Sequence, residues 1–278
     1  MKSLTAPAST PVFGASTEFQ TSDVQPLHAV DPASVAGTAP LEVKTLTPPL
    51  TRVLVRVEGT SIRWFGVALA RSRSGQARTG APFVFFTPSP WQGGYRDPDY
   101  DAFKTWMRLF DRYTSVMGAQ LAASGAPLIL VIPFYRSDQS GQLGSFLADW
   151  RPVVQAVLTE AINTVDPMAL RSDYTFDHLY TGSFSNGIVT QRNFVVAGAG
   201  VVGALRKSIN LDGQASGVLW NAARSVVYEN VRPRSATNPV GSHWYVGGRF
   251  EKVRAMYPKG TDHGRSQLLL AHGLTDCL

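Results

Sequence analysis

The sequence predicts an α/β fold: a mostly parallel central sheet with helices on both faces and an antiparallel hairpin at its N-terminal edge. Three observations carry this expectation. Two short, continuous apolar runs, 82–86 and 128–132, read as strands covered on both faces. Longer segments with apolar residues three and four apart separate such runs, and that is the period of a helix lying on a sheet. Ahead of both, segments 52–57 and 62–69 are strand-like and joined by a short glycine-bearing link of hairpin length. Strands alternating with helices favour a parallel sheet.

Taken in order, residues 1–50 are rich in Ala, Ser, Thr and Pro, and prolines from Pro7 to Pro49 interrupt any long element. They are expected to form an extended, partly disordered arm ahead of one domain over 51–278. In 52–57, Val53, Val55 and Val57 alternate with Arg52, Leu54 and Arg56, the pattern of a half-buried edge strand. Run 82–86 leads into a loop, Thr87 to Tyr95, that carries Pro88, Pro90, Gly93 and Gly94. Asp97-Pro98-Asp99 is a helix start, with an N-cap acid and a proline at the first helical position. Phe103, Trp106, Met107, Phe110, Tyr113 and Met117 form the core-facing stripe of that helix. Pro133 is expected to stop the 128–132 strand, and a polar loop spans 134–145. A second helix shows Trp150, Val153, Val154, Val157, Leu158, Ala161, Ile162 and Val165 on one face. A strand through 184, a helix with small residues near its end, and a strand over 207–211 closing at Asp212-Gly213 follow. A strand-like segment over 243–248 and an apolar helix over 268–274 complete the pattern.

Composition bounds the function. The chain has 278 residues, 44% hydrophobic and only 17% charged, which supplies a large core. The net charge of +6 is scattered rather than gathered into a basic run with stacking aromatics, so no nucleic-acid partner is expected. Cys277 is the only cysteine, which excludes an internal disulfide and a cysteine zinc site. No apolar run reaches membrane-spanning length, and no apolar signal core precedes Pro7 and Pro11. The expectation is a soluble protein in the cytoplasm; its oligomeric state is left open.

In sheets of this kind ligands sit at the carboxyl ends of the strands. The segment Phe176 to Ile188 ends a strand abruptly, turns at Ser185 and starts a helix. Ser183-Phe184-Ser185-Asn186-Gly187 matches the G-x-S-x-G nucleophile-elbow pattern with serine in the first glycine slot. Ser183 falls before the corner and is the lesser candidate nucleophile. Asp212 ends a later strand, and His263 sits in a glycine-bounded loop, Tyr257 to Arg265. His178, inside the strand before the turn, reads as structural; His243 is a weaker candidate base, and His272, in the final helix, reads as a packing residue. Asp262-His263 lacks the companions a metal needs, and no HExxH, GxxxxGK[ST] or well-placed dinucleotide fingerprint occurs. Paired glycosidase carboxylates are not evident either.

The order serine, acid, histidine along an alternating β/α chain resembles the α/β-hydrolase superfamily in its lipase and esterase branches, over residues 50 to 278. That resemblance implies a catalytic Ser185–His263–Asp212 triad, with Glu251 as the alternative acid. It implies an oxyanion hole from the backbone N–H of Asn186 and a second donor at Ser89, Trp91 or Gln92, although the loop lacks the His-Gly dipeptide of many lipases. Trp91, Tyr95, Phe134 and Tyr135 would line an apolar acyl pocket. The expected activity is hydrolysis of a small-molecule ester or lipid, with no metal and no organic cofactor; an amidase or acyltransferase would use the same groups. The alternative is a catalytically inactive α/β-hydrolase-fold binding or interaction protein, for which the absent first glycine and His-Gly loop speak.

Overall fold

The computed structural model describes residues 12–13, 17–19, 50–58, 62, 64–70, 80–88, 113–122, 124–135, 142–166, 168, 174–211, 225–228, 243–244 and 270. Its strands are β1 (Val12–Phe13), β2 (Thr17–Phe19), β3 (Leu50–Glu58), β4 (Trp64–Ala70), β5 (Ala81–Phe86), β6 (Leu128–Phe134), β7 (Leu179–Phe184), β8 (Leu205–Leu211), β9 (Ser225–Tyr228) and β10 (His243–Trp244). Helix α1 is described over 113–122; α2 is Gln142–Val165, α3 Gly187–Ala197 and α4 Val201–Ala204.

These strands form one sheet in the order β1-β3-β4-β6-β5-β7-β8-β9-β10, with β2 also on β3. Strands β5 to β10 run parallel, and β4 is antiparallel to both β3 and β6. The expected fold class is borne out: an α/β architecture with a mostly parallel central sheet and antiparallel pairing at its N-terminal edge.

Alternation along the strands sorts the core into two faces. Val53, Val55 and Val57 of β3, Val84 and Phe86 of β5, and Ile129 and Val131 of β6 face α2 and α3. Leu50 and Leu54, Phe83 and Phe85, and Leu128, Leu130 and Ile132 pack with Tyr113, Met117 and Leu121 of α1 on the other side. Helices therefore cover both faces. Trp150 and Phe146 of α2 meet Phe194 of α3 at ring-centroid distances of 5.5 and 5.8 Å. Trp150 Nε1 also donates to the Ala199 carbonyl at 2.7 Å, which ties α2 to the corner after α3. Among the described residues, no helix is long and apolar enough to cross a membrane.

Three sequence expectations are corrected. Strand β3 is not a half-buried edge: β1 and β2 pair with its outer side, and Arg52 is only 1% exposed. The Arg52 guanidinium donates to Ser115 Oγ of α1 at 2.7 Å, which lets a cation sit on a buried face. Pro133 does not end β6. Pairing with β5 stops at Val131 while pairing with β4 continues to Phe134, so from there the strand has an open side where a missing N–H costs little. The 142–145 part of the expected loop is helical. Asp149 is non-helical (φ −116°, ψ 21°) and breaks α2 into two segments, so Pro152 falls in the first turn of the second, where its lost N–H is tolerated. The arm's remaining residues, Phe103 to Phe110, and most of the 243–248 and 268–274 segments lie outside the described residues.

Candidate active site

The winding of the sheet reverses at β5. From β5 the chain reaches β6 on one side and then β7 on the other. Such a switch opens a crevice at the carboxyl ends of the strands. Three described residues stand there, each directly after its strand: Thr87 after β5, Tyr135 after β6 and Ser185 after β7.

Ser185 has φ 54° and is the one non-glycine residue with positive φ among those described. A left-handed conformation costs an L-residue roughly 1–2 kcal/mol. Its surroundings impose the geometry. The Ser185 N–H donates to the Leu211 carbonyl at the end of β8 at 3.1 Å, and its own carbonyl accepts from Ile188 at 3.3 Å, opening α3. Gly187 allows the close approach that follows: a Cβ there would lie 2.3 Å from the Phe86 oxygen and 2.8 Å from the Thr87 oxygen. The start of α3 thus presses against the root of the Thr87–Tyr95 loop. Ser185 is half-buried at the corner, and Asn186, the N-cap of α3, is exposed.

Ser183 is different. It is fully buried on the α3 side of β7, and its Oγ donates to Gln191 Oε1 at 2.6 Å. That hydroxyl is turned away from the corner and committed to a partner, so it fills the first glycine slot as a core group. His178 is exposed and precedes β7, with Nε2 3.1 Å from the Arg206 guanidinium; the strand it was expected to occupy starts at Leu179.

Phe134 and Tyr135, expected to line an acyl pocket, are 3% and 5% exposed. Phe134 packs in the core on the α1 side, and the Tyr135 hydroxyl donates to the Thr87 carbonyl at 2.6 Å. Both side chains are buried, Phe134 in the cluster packed on α1 and Tyr135 in the cluster packed on α2 and α3. Burial, partly offset by a hydrogen bond with the Thr190 side chain, holds the Tyr135 phenol well above the usual tyrosine range. Burial does the same for Tyr174, whose hydroxyl bonds the Gly80 carbonyl. Unfolded phenols ionise near pH ~10. The stability these two supply is therefore fully present below pH ~10 and is lost as pH rises through the folded values. Urea midpoints measured from pH 8 to 11 are expected to fall steeply at the alkaline end for the native chain, and less steeply for Tyr135→Phe.

Asp212, Glu251, His263, Ser89, Trp91, Gln92 and Tyr95 lie outside the described residues, as do Asp262 and His272. The structure brings together Ser185, Asn186, Gly187, Thr87 and Tyr135 at one crevice. Sequence reasoning missed Gln191, although a lone glutamine among Ile188, Phe194 and Val195 on the buried face of α3 is a legible signal. Among the described residues no group of three His, Cys, Asp or Glu side chains could hold a metal ion.

No family profile and no curated protein sequence matches this chain. Solved structures do resemble it at a distance. A Pyrobaculum calidifontis esterase is 10% identical with a TM-score of 0.43, over 84% of this chain and 88% of its own. One of two Rhizomucor miehei esterases is 8% identical with a TM-score of 0.46, over 91% and 92%. A dienelactone hydrolase-like promiscuous phosphotriesterase from metagenomic libraries is 12% identical with a TM-score of 0.36, over 95% and 99%.

Proposed function

We propose that the chain is a serine hydrolase that cleaves a carboxylic ester through an acyl-enzyme on Ser185, and that the turn from β7 to α3 is its nucleophile elbow. One observation carries this reading: a serine, not a glycine, occupies the left-handed corner at the topological switch. Stability alone favours glycine at such a φ. Strain of this kind is kept where a side chain must be presented to a reacting group.

The remaining roles follow from acyl transfer. His263 takes the Ser185 proton as Oγ attacks the ester carbonyl carbon, and later returns it to the leaving alcohol. Water then repeats the attack on the acyl-enzyme, with His263 again the base. Asp212 orients the imidazole and stabilises its cation. Its place directly after Leu211, whose carbonyl receives the Ser185 N–H, supports it over Glu251. The Asn186 N–H at the start of α3 is the first oxyanion donor, and Ser89 or Trp91, in the loop rooted at Thr87, supplies the second. Trp91 and Tyr95 line the acyl pocket.

Hydrolysis of a p-nitrophenyl ester series tests the acid. Asp212→Asn is expected to lower kcat by about 10⁴-fold, the size of a lost triad carboxylate, while Glu251→Gln retains activity. The reverse pattern would move the acid to Glu251.

A further inference from the structure

We propose that Gln191 is a positioning residue for Ser185, and that serine at position 183 exists to anchor it. The inference rests on Ser185 being the nucleophile. Gln191 is fully buried in the second turn of α3. Its Nε2 donates to Ser208 Oγ of β8 at 2.8 Å and to Thr181 Oγ1 of β7 at 3.1 Å. Its Oε1 accepts from Ser183 Oγ at 2.6 Å. One carboxamide thus bolts the helix that begins at the corner to both strands that end beside it. Those strands are the ones that set the corner: β7 delivers Ser185, and β8 supplies the Leu211 carbonyl that holds its N–H.

A carboxamide on an apolar helix face is unfavourable unless its hydrogen bonds are made. Here both amide protons and the oxygen are used, by small hydroxyls alternating along β7 (Thr181, Ser183) and by Ser208 of β8. The network has a chemical consequence at the corner. Ser185 keeps φ 54° only while α3, β7 and β8 hold their relative positions. Without the Gln191 bolt, apolar packing and the corner's backbone hydrogen bonds alone hold α3 on the sheet, and the hydroxyl's aim at the carbonyl carbon loosens. Glycine at position 183, the ordinary residue of the pattern, would strip Gln191 Oε1 of its donor. In this chain the pattern's consensus is therefore the weaker choice.

The test separates reactivity from binding and from folding. Wild type, Ser183→Gly, Gln191→Met, Gln191→Glu and Ser185→Ala are treated with a fluorophosphonate. The inactivation rate constant and the reversible binding constant are measured at a fixed margin below each melting temperature. Ser183→Gly and Gln191→Met are expected to lose about tenfold in the rate constant with binding unchanged, as a misaimed nucleophile does. Gln191→Glu introduces a buried carboxyl that, when protonated, donates to one of the two hydroxyls the amide serves and, when ionised, donates to none. Its labelling rate is expected to lie closest to wild type at low pH and to fall relative to wild type as the carboxyl ionises. Should Gln191→Met fail to fold, Ser183→Gly and the Gln191→Glu profile decide. If wild type labels on Ser185 but both Ser183→Gly and Gln191→Met label within about twofold of it, positioning is wrong and the nucleophile stands. A deficit that vanishes at equal margin below melting likewise reduces Gln191 to a packing group. If folded wild type does not label, or Ser185→Ala still labels, the nucleophile assignment and the inference fall together.

Discussion

Ser185→Ala is expected to lower ester turnover by about 10⁶-fold, the scale on which a triad serine acts, while the protein stays folded. The substitution removes the Ser185 hydroxyl and leaves the backbone hydrogen bonds with Leu211 and Ile188 in place. Ser183→Ala provides the contrast: it removes a buried hydrogen bond but keeps the proposed nucleophile, so labelling is expected to persist at a reduced rate. Ser185→Gly gives the second half of the result. Relief of a left-handed φ gains roughly 1–2 kcal/mol, against about 0.4–1 kcal/mol of added chain entropy in the unfolded state. Denaturant titration is expected to find this inactive variant more stable than wild type by about 0.5–1 kcal/mol. A serine that can be traded for stability at the cost of all activity is held there by function. A loss of stability on Ser185→Gly would mean that the corner carries no strain.

Gly187→Ala is expected to destabilise the protein by about 3 kcal/mol and to disrupt activity beyond that loss. Two effects oppose each other. Alanine favours a helical position over glycine by roughly 1 kcal/mol. The new Cβ, however, would stand 2.3 Å from the Phe86 oxygen and 2.8 Å from the Thr87 oxygen, and backbone atoms at the end of a central strand cannot swing aside as a side chain does. The clash wins. Relief requires α3 to lift from β5, which moves Asn186 away from the Thr87 loop and separates the two halves of the proposed oxyanion hole. Gly182→Ala is the milder control, since its Cβ would meet the Phe83 ring, 2.6 Å away at Cζ. A Gly187→Ala protein with wild-type melting temperature and turnover would contradict the close packing of the corner on β5.

The architecture was legible because it rests on period and punctuation. Runs 82–86 and 128–132 are apolar without a break because both faces of those strands are covered, and the structure assigns their residues alternately to the two sides of the sheet. The corner at Ser185 was legible because a small-residue motif joined a strand to a helix. Other features depend on neighbours that lie far off in sequence. Whether β3 is an edge is decided by Val12–Phe13 and Thr17–Phe19, from an arm whose prolines suggest no sheet. Pro133 stays in β6 because pairing with β5 has already ended. In the sequence Ser183 is only a serine in the first glycine slot; Gln191, on the helix packed against β7, turns it into a hydrogen-bond donor with a purpose. Likewise, an aromatic after a strand reads as pocket lining until its hydroxyl is found on the Thr87 carbonyl, as at Tyr135.

The most direct measurement is the site of covalent modification. Folded native chain is treated with a fluorophosphonate, digested, and the peptide carrying both serines is sequenced by tandem mass spectrometry. The adduct is expected on Ser185, with Ser183 unmodified, as a half-buried strained corner beside a fully buried and hydrogen-bonded hydroxyl requires. An adduct on Ser183, or no adduct on a folded protein, would contradict the assignment of this corner as a working nucleophile.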